Sequence, residues 1–343
     1  MITREQALDL FNSTDLIGIG MEADRIRRKW HPEGVVSYII DRNINYTNFC
    51  TEYCSFCAFY RAPNSPEGYV LPKETIFEKI QETLDLGGTG VLMQGGLHPD
   101  LKIEWYEDLF SSIKQRFPIH LHCLSAPEVT NIAEVSGISL RDTIARLRDA
   151  GLDSIPGGGA EILDDAVRHR ISRLKCGTQE WLDVHRTAHQ LGMRTTATMM
   201  FGCGETLEQR MNHLELVRNL QEETGGFTAF IPWTFQRENT SLGRFVKEEA
   251  TAVEYLQTLA ISRIYLDNFE NVQSSWVTQG LKTCQMGLRF GGNDVGSIMI
   301  EENVVSAAGA HHHASEEELR RIIRDAGFVP KQRDTLYRTY FLN

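Results

Sequence analysis

From about residue 35 onward, short apolar runs alternate with stretches whose apolar residues recur every three to four positions. The runs are rich in Val, Ile, Thr and aromatic residues, which favours strands, whereas the longer period is typical of amphipathic helices. A repeated alternation of this kind predicts a parallel sheet with right-handed crossovers. The predicted strands are 35–41, 89–96, 119–125, 152–159, 194–202 and 227–235, with two weaker ones at 271–277 and 296–300.

An amphipathic helix is predicted between most pairs of strands. Ile76, Ile80 and Leu84 recur every four positions, and Gly87 follows them as a helix stop. Another helix is predicted to begin at Ser139. The remaining predicted helices cover 178–191, 206–224 and 250–267.

The number of units and the chain length indicate the fold class. Six to eight strand–helix units in 343 residues fit an α/β protein that closes as a (β/α) barrel of TIM type. An open doubly wound sheet is the alternative, but its usual G-x-G-x-x-G turn after the first strand is missing. We therefore predict an N-terminal helical segment at 1–34, a barrel at 35–300 and a C-terminal extension packed on the barrel at 301–343.

Composition and charge exclude several classes of protein. The chain is 41% hydrophobic and 24% charged, as in ordinary globular proteins. Its net charge of −11 argues against non-specific nucleic-acid binding as the main task. No apolar run is long enough for a membrane span, and the first residues lack the apolar core of a signal peptide. We expect a cytoplasmic protein with neither nucleic acid nor membrane as a partner.

Three of the seven cysteines lie close together in the segment NYTNFCTEYCSFCAFYR, which follows the first predicted strand. Cys50, Cys54 and Cys57 form a C-x3-C-x2-C motif, and thiolates select zinc or iron–sulfur clusters. A structural zinc site needs a fourth protein ligand, and the other four cysteines are isolated in the sequence. A [4Fe–4S] cluster has four irons, so three cysteines leave one iron open for another ligand. Because barrel active sites lie in loops after strands, a catalytic role is favoured.

This motif, with the aromatic Phe56 before its third cysteine, resembles the radical S-adenosylmethionine (SAM) superfamily. The resemblance implies that Cys50, Cys54 and Cys57 hold a [4Fe–4S] cluster, with Phe56 beside the cofactor. The amino and carboxylate groups of SAM would chelate the fourth iron. In that superfamily, electron transfer from the reduced cluster cleaves the sulfonium and releases a 5′-deoxyadenosyl radical, which takes a hydrogen atom from the substrate.

The same resemblance implies cofactor contacts at the ends of later strands. Gln94, Gly95 and Gly96 end the second strand, where backbone carbonyls would bond the methionine amino group. Glu161 lies in PGGGAEI (156–162) and would bond the ribose hydroxyls of SAM.

Two pairs of residues leave alternatives open. Either Arg168 or Arg170 would pair with the methionine carboxylate, and Arg168 is the residue we select. His120 and His122 face the same side of the third strand, which allows a metal-dependent hydrolase as an alternative of a different class. Hydrogen bonds from these histidines to neighbours inside the barrel are the stronger explanation.

The resemblance extends beyond the cysteines over nearly the whole chain, to a branch that acts on futalosine-type nucleosides and deazaflavin precursors. Within it, the family of cyclic dehypoxanthine futalosine synthases, in menaquinone biosynthesis, is the nearest. QGG at 94–96 and NDVGSIMIEENVV at 293–305 favour that family over the aminofutalosine synthases. The matching stretches are AFYR, YVLPKE, QGGLHPDL, SAPEV, PGGGAEIL, TTATMMFG, ETGGFTAFIPWTFQ and SSWVTQG.

The resemblance implies a reaction and its partners. The radical would take hydrogen from the ribose C4′ of dehypoxanthine futalosine, and the carbon radical would add to the benzoate ring with loss of a proton and an electron. Flavodoxin or ferredoxin would serve as external electron donor. Asp294, Glu301 and Glu302 are candidates for the base, and Arg61 is a candidate partner of the substrate carboxylate. Addition of the adenosyl radical, as in aminofutalosine synthases, is the alternative reaction.

Such a substrate also requires a pocket that holds an aromatic ring and a sugar in one pose. Pockets of this kind are mostly apolar with a few polar groups. The aromatic residues at predicted strand ends that are candidates for the wall are Phe59, Tyr60, Trp233, Phe235 and Trp276.

Overall fold

The computed structural model describes residues 2–338. In this part of the chain the helices are α1 (Arg4–Phe11), α2 (Leu16–Trp30), α3 (Lys73–Asp85), α4 (Ile103–Arg116), α5 (Ala126–Ser136), α6 (Leu140–Asp149), α7 (Asp165–Ile171), α8 (Thr178–Gln190), α9 (Leu207–Thr224), α10 (Ala252–Tyr265), α11 (Gly280–Gly287) and α12 (Glu316–Asp325). The strands are β1 (Val35–Ile39), β2 (Asp41–Ile44), β3 (Gly90–Met93), β4 (His120–Cys123), β5 (Ser154–Ile155), β6 (Arg194–Phe201), β7 (Phe227–Thr234), β8 (Asn271–Val272), β9 (Asp294–Ser297) and β10 (Val329–Gln332).

Seven parallel strands, β2 to β8, pair in chain order and curl into a half-barrel. Helices cover its outer face, as a parallel sheet with buried strands requires. The predicted α/β fold of TIM-barrel type is thereby confirmed. The carboxyl ends of the strands lie at one end of the barrel, where loops are available for a site.

The remaining strands form a second, three-stranded parallel sheet in the order β10-β1-β9. It covers a separate small core that includes Val36, Tyr38, Trp276 and Leu319. Because β10 lies in the last part of the chain, this sheet ties the C-terminal extension to the start of the barrel. The division into three parts at 1–34, 35–300 and 301–343 stays a prediction.

Two predicted strands differ from the observed ones. The run 35–41 is two strands, because Ile39 pairs with β9 whereas Asp41 pairs with β3, so that the chain passes from one sheet to the other between them. The strand predicted at 296–300 is observed at Asp294–Ser297 and belongs to the small sheet. Gly296 and Met299 have positive φ angles of 76° and 51°, which take the backbone out of the extended region.

Helix ends follow the local signals in the sequence. Capping boxes are present at Thr3 and Ser315, and Ser139 caps α6 as predicted. Gly137 and Gly225 end α5 and α9 in the left-handed conformation that glycine adopts at least cost. Within residues 2–338, none of the helices combines the length and apolar character that crossing a membrane requires.

Candidate active site

The three cysteines lie on the loop that follows β2. Backbone hydrogen bonds from Cys50 to the Arg61 carbonyl (2.9 Å) and from Arg61 to the Asn48 carbonyl (2.7 Å) close this loop at its base. The Cys57 N–H donates to the Cys54 carbonyl at 3.2 Å, which turns the two residues toward the same region. Cys50 and Cys54 are buried, and Cys57 is half-buried.

The thiols influence each other's protonation, as expected for groups that lie close together. Burial is the main reason that the pKa of Cys54 is raised to about 12. Lys175 opposes the rise, whereas the charges of Glu161, Cys57 and Cys50 add to it. Burial also raises the pKa of Cys50. Cysteine binds metal as the thiolate, and burial disfavours this charged form. We therefore expect Cys50 and Cys54 to be deprotonated only when the positive charge of bound iron compensates for the lost solvation.

The glycines after β3 lie directly beside the cysteine loop. A Cβ atom on Gly96 would be 2.2 Å from the Phe49 carbonyl oxygen and 2.8 Å from the Cβ of Cys50. A Cβ atom on Gly95 would be 2.8 Å from the Tyr46 ring. Only glycine fits at both positions, so the backbone comes close to the place where a cluster ligand would lie.

Glu128 holds this glycine segment, and sequence analysis missed it. Its carboxylate accepts hydrogen bonds from the Gly95 N–H (2.9 Å), the Tyr46 hydroxyl (2.7 Å) and the Ser125 hydroxyl (2.6 Å). Burial raises its pKa despite these donors. The capping-box spacing of Ser125 and Glu128 was the available signal, but it predicts only a helix start.

Glu161 lies after β5 in a strained backbone conformation with a φ of 40°. Its Oε1 accepts a hydrogen bond from Lys175 at 3.0 Å, whereas Oε2 is buried, lies 3.8 Å from a guanidinium nitrogen of Arg168 and makes no hydrogen bond to the described residues. A buried acceptor without a partner is costly unless a ligand satisfies it. This free oxygen, the three thiols and the glycine cradle all fit a bound cluster with SAM.

Lys175 is a second residue that sequence analysis missed. Its ammonium lies 5.3 Å from the centre of the Phe56 ring and bonds Glu161. Burial lowers its pKa, but the charges of Glu161 and Cys54 raise it above its ordinary value. The sequence SRLKCG gives no motif that would have singled it out.

Arg168 and Arg170 have other partners. Arg168 is buried and donates to the carbonyl oxygens of Ala160 (2.6 Å) and Cys176 (2.5 Å and 3.0 Å), while Arg170 donates to the Gly204 carbonyl. These contacts hold the loop that carries Glu161. A contact of Arg168 with the methionine carboxylate stays a prediction, and the observed bonds favour a supporting role.

A cavity of about 310 Å³ runs through the barrel beneath these loops. At the end near the cysteine loop it is lined by Gln94 and Glu161, and at the opposite end by Asp41 and Arg333. Trp233 also lines its wall. An occupant of this cavity would therefore lie inside the half-barrel, below the loops that carry the cysteines.

The other aromatic candidates lie elsewhere. Trp276 and Phe235 are buried in the two hydrophobic cores. Tyr60 lines a wider outer opening beside Cys54 and Cys57, together with Arg61.

Arg61 itself donates to Glu67 at 2.6 Å and to nearby carbonyls, at that outer opening. It is absent from the described lining of the barrel cavity. This placement gives no support to a contact of Arg61 with a substrate carboxylate inside the barrel.

The candidate bases occupy different surroundings. Asp294 is fully buried and bonds Arg333 through both carboxylate oxygens (2.6 Å and 3.0 Å) and Ser37 at 2.6 Å. Glu301 pairs with Lys79 at 2.6 Å. Glu302 lines the barrel cavity, but its oxygens accept three backbone N–H groups of residues 304–306.

His120 and His122 both hydrogen-bond the hydroxyl of Ser154, each at 2.7 Å. Burial lowers the pKa of His122 to about 3, so this imidazole is neutral. Among the described residues neither imidazole has a carboxylate hydrogen-bond partner. The pair is thus explained by bonds to a neighbour, and the metal-dependent hydrolase finds no support.

Known protein families match the chain over most of its length. The family described as "Radical SAM superfamily" matches residues 44–217, which carry the cysteine motif, and "CofH/MqnC C-terminal region" matches residues 224–342. This chain belongs to the radical SAM superfamily. It is a radical SAM enzyme, and its cofactors are a [4Fe–4S] cluster and SAM.

Individual relatives are similar over nearly the full chain. A cyclic dehypoxanthine futalosine synthase of Halalkalibacterium halodurans is 51% identical over 98% of this chain and 90% of the relative. A 5-amino-6-(D-ribitylamino)uracil–L-tyrosine 4-hydroxyphenyl transferase of Methanococcoides burtonii is 42% identical over 98% and 95%. The crystal structure of methylornithine synthase has a TM-score of 0.72 at 18% identity and covers 96% of this chain and 94% of its own, which supports the barrel fold.

Proposed function

We propose that this enzyme converts dehypoxanthine futalosine to cyclic dehypoxanthine futalosine in the futalosine route to menaquinone. The observation that carries the proposal is the 51% identity, over nearly the whole chain, to a relative of that name. The archaeal relative with a different name is also similar, at 42% identity, so a direct assay has to separate the two reactions.

The enclosed cavity supports chemistry of this kind. It is lined by Gln94 and Glu161, beside the cysteine loop, and also by Asp41 and Arg333. A cofactor and a substrate would therefore share one compartment inside the barrel, which would protect a reactive radical. Trp233 offers an apolar face for an aromatic ring.

The roles of individual residues follow from their positions. We propose that Cys50, Cys54 and Cys57 hold the cluster, that Gly95 and Gly96 let the methionine end of SAM approach, and that Glu161 accepts its ribose hydroxyls. Gln94 and Phe56 would line the same region. When bound, the cluster and SAM supply the radical that takes hydrogen from the substrate.

Glu161 owes its position to its neighbours. Lys175 bonds one of its oxygens, and Arg168 holds the loop through the carbonyls of Ala160 and Cys176. The second oxygen lies 3.8 Å from the Arg168 guanidinium but makes no hydrogen bond to the described residues, so it retains the capacity to accept one from a ligand. This arrangement orients the acceptor before the cofactor arrives, which lowers the cost of ordering it.

The hydrogen-bond partners of the candidate bases make Asp294 and Glu301 less suitable for accepting a proton. Asp294 and Glu301 are both in ion pairs, with Arg333 and Lys79. We propose that these pairs support the cavity wall, since a carboxylate with both oxygens bonded is poorly placed to accept a proton.

An external electron donor such as flavodoxin or ferredoxin is also part of the proposal, as is a cytoplasmic location. The outer opening beside Cys54 and Cys57 is the surface at which a donor would come closest to the cluster. Arg237 and Arg244 line that opening and would face an acidic donor.

The test is an anaerobic incubation of reduced holoenzyme with SAM and one of three substrate sets. We expect 5′-deoxyadenosine to form with dehypoxanthine futalosine as substrate. A covalent adenosyl adduct with an enolpyruvyl benzoate would instead indicate the aminofutalosine synthase reaction. Turnover only with tyrosine and 5-amino-6-ribitylaminouracil would indicate the reaction named for the archaeal relative.

A further inference from the structure

The barrel cavity contains two polar groups that the proposed cofactor contacts leave unused. Asp41 is the first residue of β2, and His122 lies on β4. Both side chains line the same cavity. They lie on the two strands that flank β3, where Asp41 pairs with Gly90 and His122 pairs with Leu92, two residues farther along.

Asp41 has one carboxylate oxygen fixed and one available. Its Oδ1 accepts a hydrogen bond from the Ser297 hydroxyl, which also accepts the N–H of Met299. Its Oδ2 makes no hydrogen bond to the described residues. The half-buried side chain contributes surface to the cavity, and burial raises its pKa to about 6. A desolvated carboxylate with a free oxygen favours a ligand that donates hydrogen bonds.

His122 also has one fixed and one available atom. Its Nδ1 shares a hydrogen bond with the Ser154 hydroxyl, and its Nε2 has no hydrogen-bond partner among the described residues. A neutral imidazole has one donor and one acceptor nitrogen, and the tautomer is decided by Ser154. A hydroxyl group can donate or accept, so it suits Nε2 in either tautomer.

The charges around the cavity favour an uncharged partner for these two residues. Three carboxylates line it, those of Asp41, Glu161 and Glu302. Arg333 is the one Lys or Arg in the described lining, and its guanidinium is already bonded to both oxygens of Asp294. An anionic group at this end would meet a surplus of negative charge, whereas a polyol would not.

We propose that Asp41 and His122 form a binding site for the sugar hydroxyls of the substrate. Hydroxyls of a ribose or ribityl chain would donate to Asp41 Oδ2 and bond His122 Nε2. This inference rests on the proposed function only for the identity of the sugar-bearing molecule. It gives the enzyme two sugar acceptors in one cavity, Glu161 for the cofactor and Asp41 for the substrate.

The experiment measures equilibrium binding to the anaerobic holoenzyme by titration calorimetry. Its ligands are dehypoxanthine futalosine, 5-amino-6-ribitylaminouracil and a benzoate ketone that lacks the sugar. We first determine which sugar-bearing ligand the wild-type enzyme binds. For that ligand, Asp41→Asn should raise the Kd about 10- to 100-fold, as expected for loss of a hydrogen bond to a charged group. The Kd of the sugar-free ketone should change less than about twofold, and SAM binding should be retained.

The two histidines give a matched control, because both bond Ser154 but only His122 is part of the described cavity lining. We expect His122→Gln to weaken sugar binding about 5- to 10-fold and His120→Gln less than about twofold. Thermal unfolding of each variant separates lost binding from lost folding. If Asp41→Asn does not fold, the comparison of the two histidine variants decides.

The outcomes separate this inference from the proposed function. Loss of sugar binding in Asp41→Asn, with binding of the sugar-free ketone intact, supports the site. Wild-type binding of the ribityl compound but not of dehypoxanthine futalosine would overturn the proposed function while the site stands. Unchanged sugar affinity in folded Asp41→Asn and His122→Gln, or wild-type binding of neither sugar-bearing ligand, would overturn the site.

Discussion

The two ends of the barrel cavity are built in different ways. The end near the cysteine loop consists of three thiols, two glycines that let neighbouring backbone approach closely, and Glu161, one of whose oxygens makes no hydrogen bond to the described residues. At the far end, side chains from β2, β4 and the segment after β10 meet, and Arg333 joins that segment to Asp294 on β9. The first end resembles what any radical SAM enzyme requires, whereas the second is where a particular substrate would be distinguished.

The largest expected effect concerns the cysteine end. Cys54→Ala should abolish binding of the cluster, because the two remaining thiolates cannot hold a cluster that needs three protein ligands. Iron and sulfide analysis after anaerobic reconstitution measures this. Cys176→Ala is the matched control, since Cys176 is half-buried and outside the motif, and it should keep its iron. Equal iron in wild type and Cys54→Ala would refute the assignment.

The next largest effect is expected at the far end. Asp294→Ala leaves the guanidinium of Arg333 buried without its partner and should lower the free energy of unfolding by about 3–5 kcal/mol. The double variant Asp294→Ala with Arg333→Met removes the unpaired charge and should recover part of that loss. Urea unfolding of the three proteins measures both effects. If the single variant matched wild type, the ion pair would not hold this end together.

A smaller loss of stability is expected where the backbone passes the cysteine loop. Gly96→Ala places a methyl group 2.2 Å from the Phe49 carbonyl and should destabilise the protein by about 1–3 kcal/mol while weakening SAM binding. Gly177→Ala serves as control, because the nearest atom would lie 3.6 Å from its Cβ. Retained SAM affinity in Gly96→Ala would show that the glycine cradle is not required.

The smallest effect is a difference in pH dependence at the far end. Burial raises the pKa of Asp41 from 3.8 to about 6, so the folded state holds a proton that the unfolded state releases. Stability from this group is therefore greatest below about pH 4 and falls as pH rises through about 6. Relative to wild type, Asp41→Asn should gain about 1–3 kcal/mol between pH 4 and pH 7. Parallel stability curves for the two proteins would contradict this account of Asp41.

The sequence revealed the cysteine end far better than the other. A C-x3-C-x2-C motif and glycine-rich strand ends are local signals, so the cluster residues, Gly96 and Glu161 are recognisable within short segments. Lys175 escaped notice because its role comes from a fold that brings it to Glu161. Likewise, Asp41 looked like the last residue of one strand, and only the pairing with β3 shows that it begins the barrel.

The fold was predictable to a similar degree. Strand–helix alternation predicts the parallel barrel, since each unit is local in sequence. The three-stranded sheet was not predictable, because β1, β9 and β10 are separated by more than two hundred residues in places and only their pairing reveals it. That sheet carries Arg333 and Asp294 to the cavity end, so the least local part of the fold is also where the proposed substrate site lies.

The mass of the product from reduced, anaerobic enzyme with SAM and dehypoxanthine futalosine tests the central claim most directly. We expect a product two hydrogens lighter than the substrate, formed together with 5′-deoxyadenosine. An adduct heavier by an adenosyl group, or 5′-deoxyadenosine with the substrate unchanged, would contradict it.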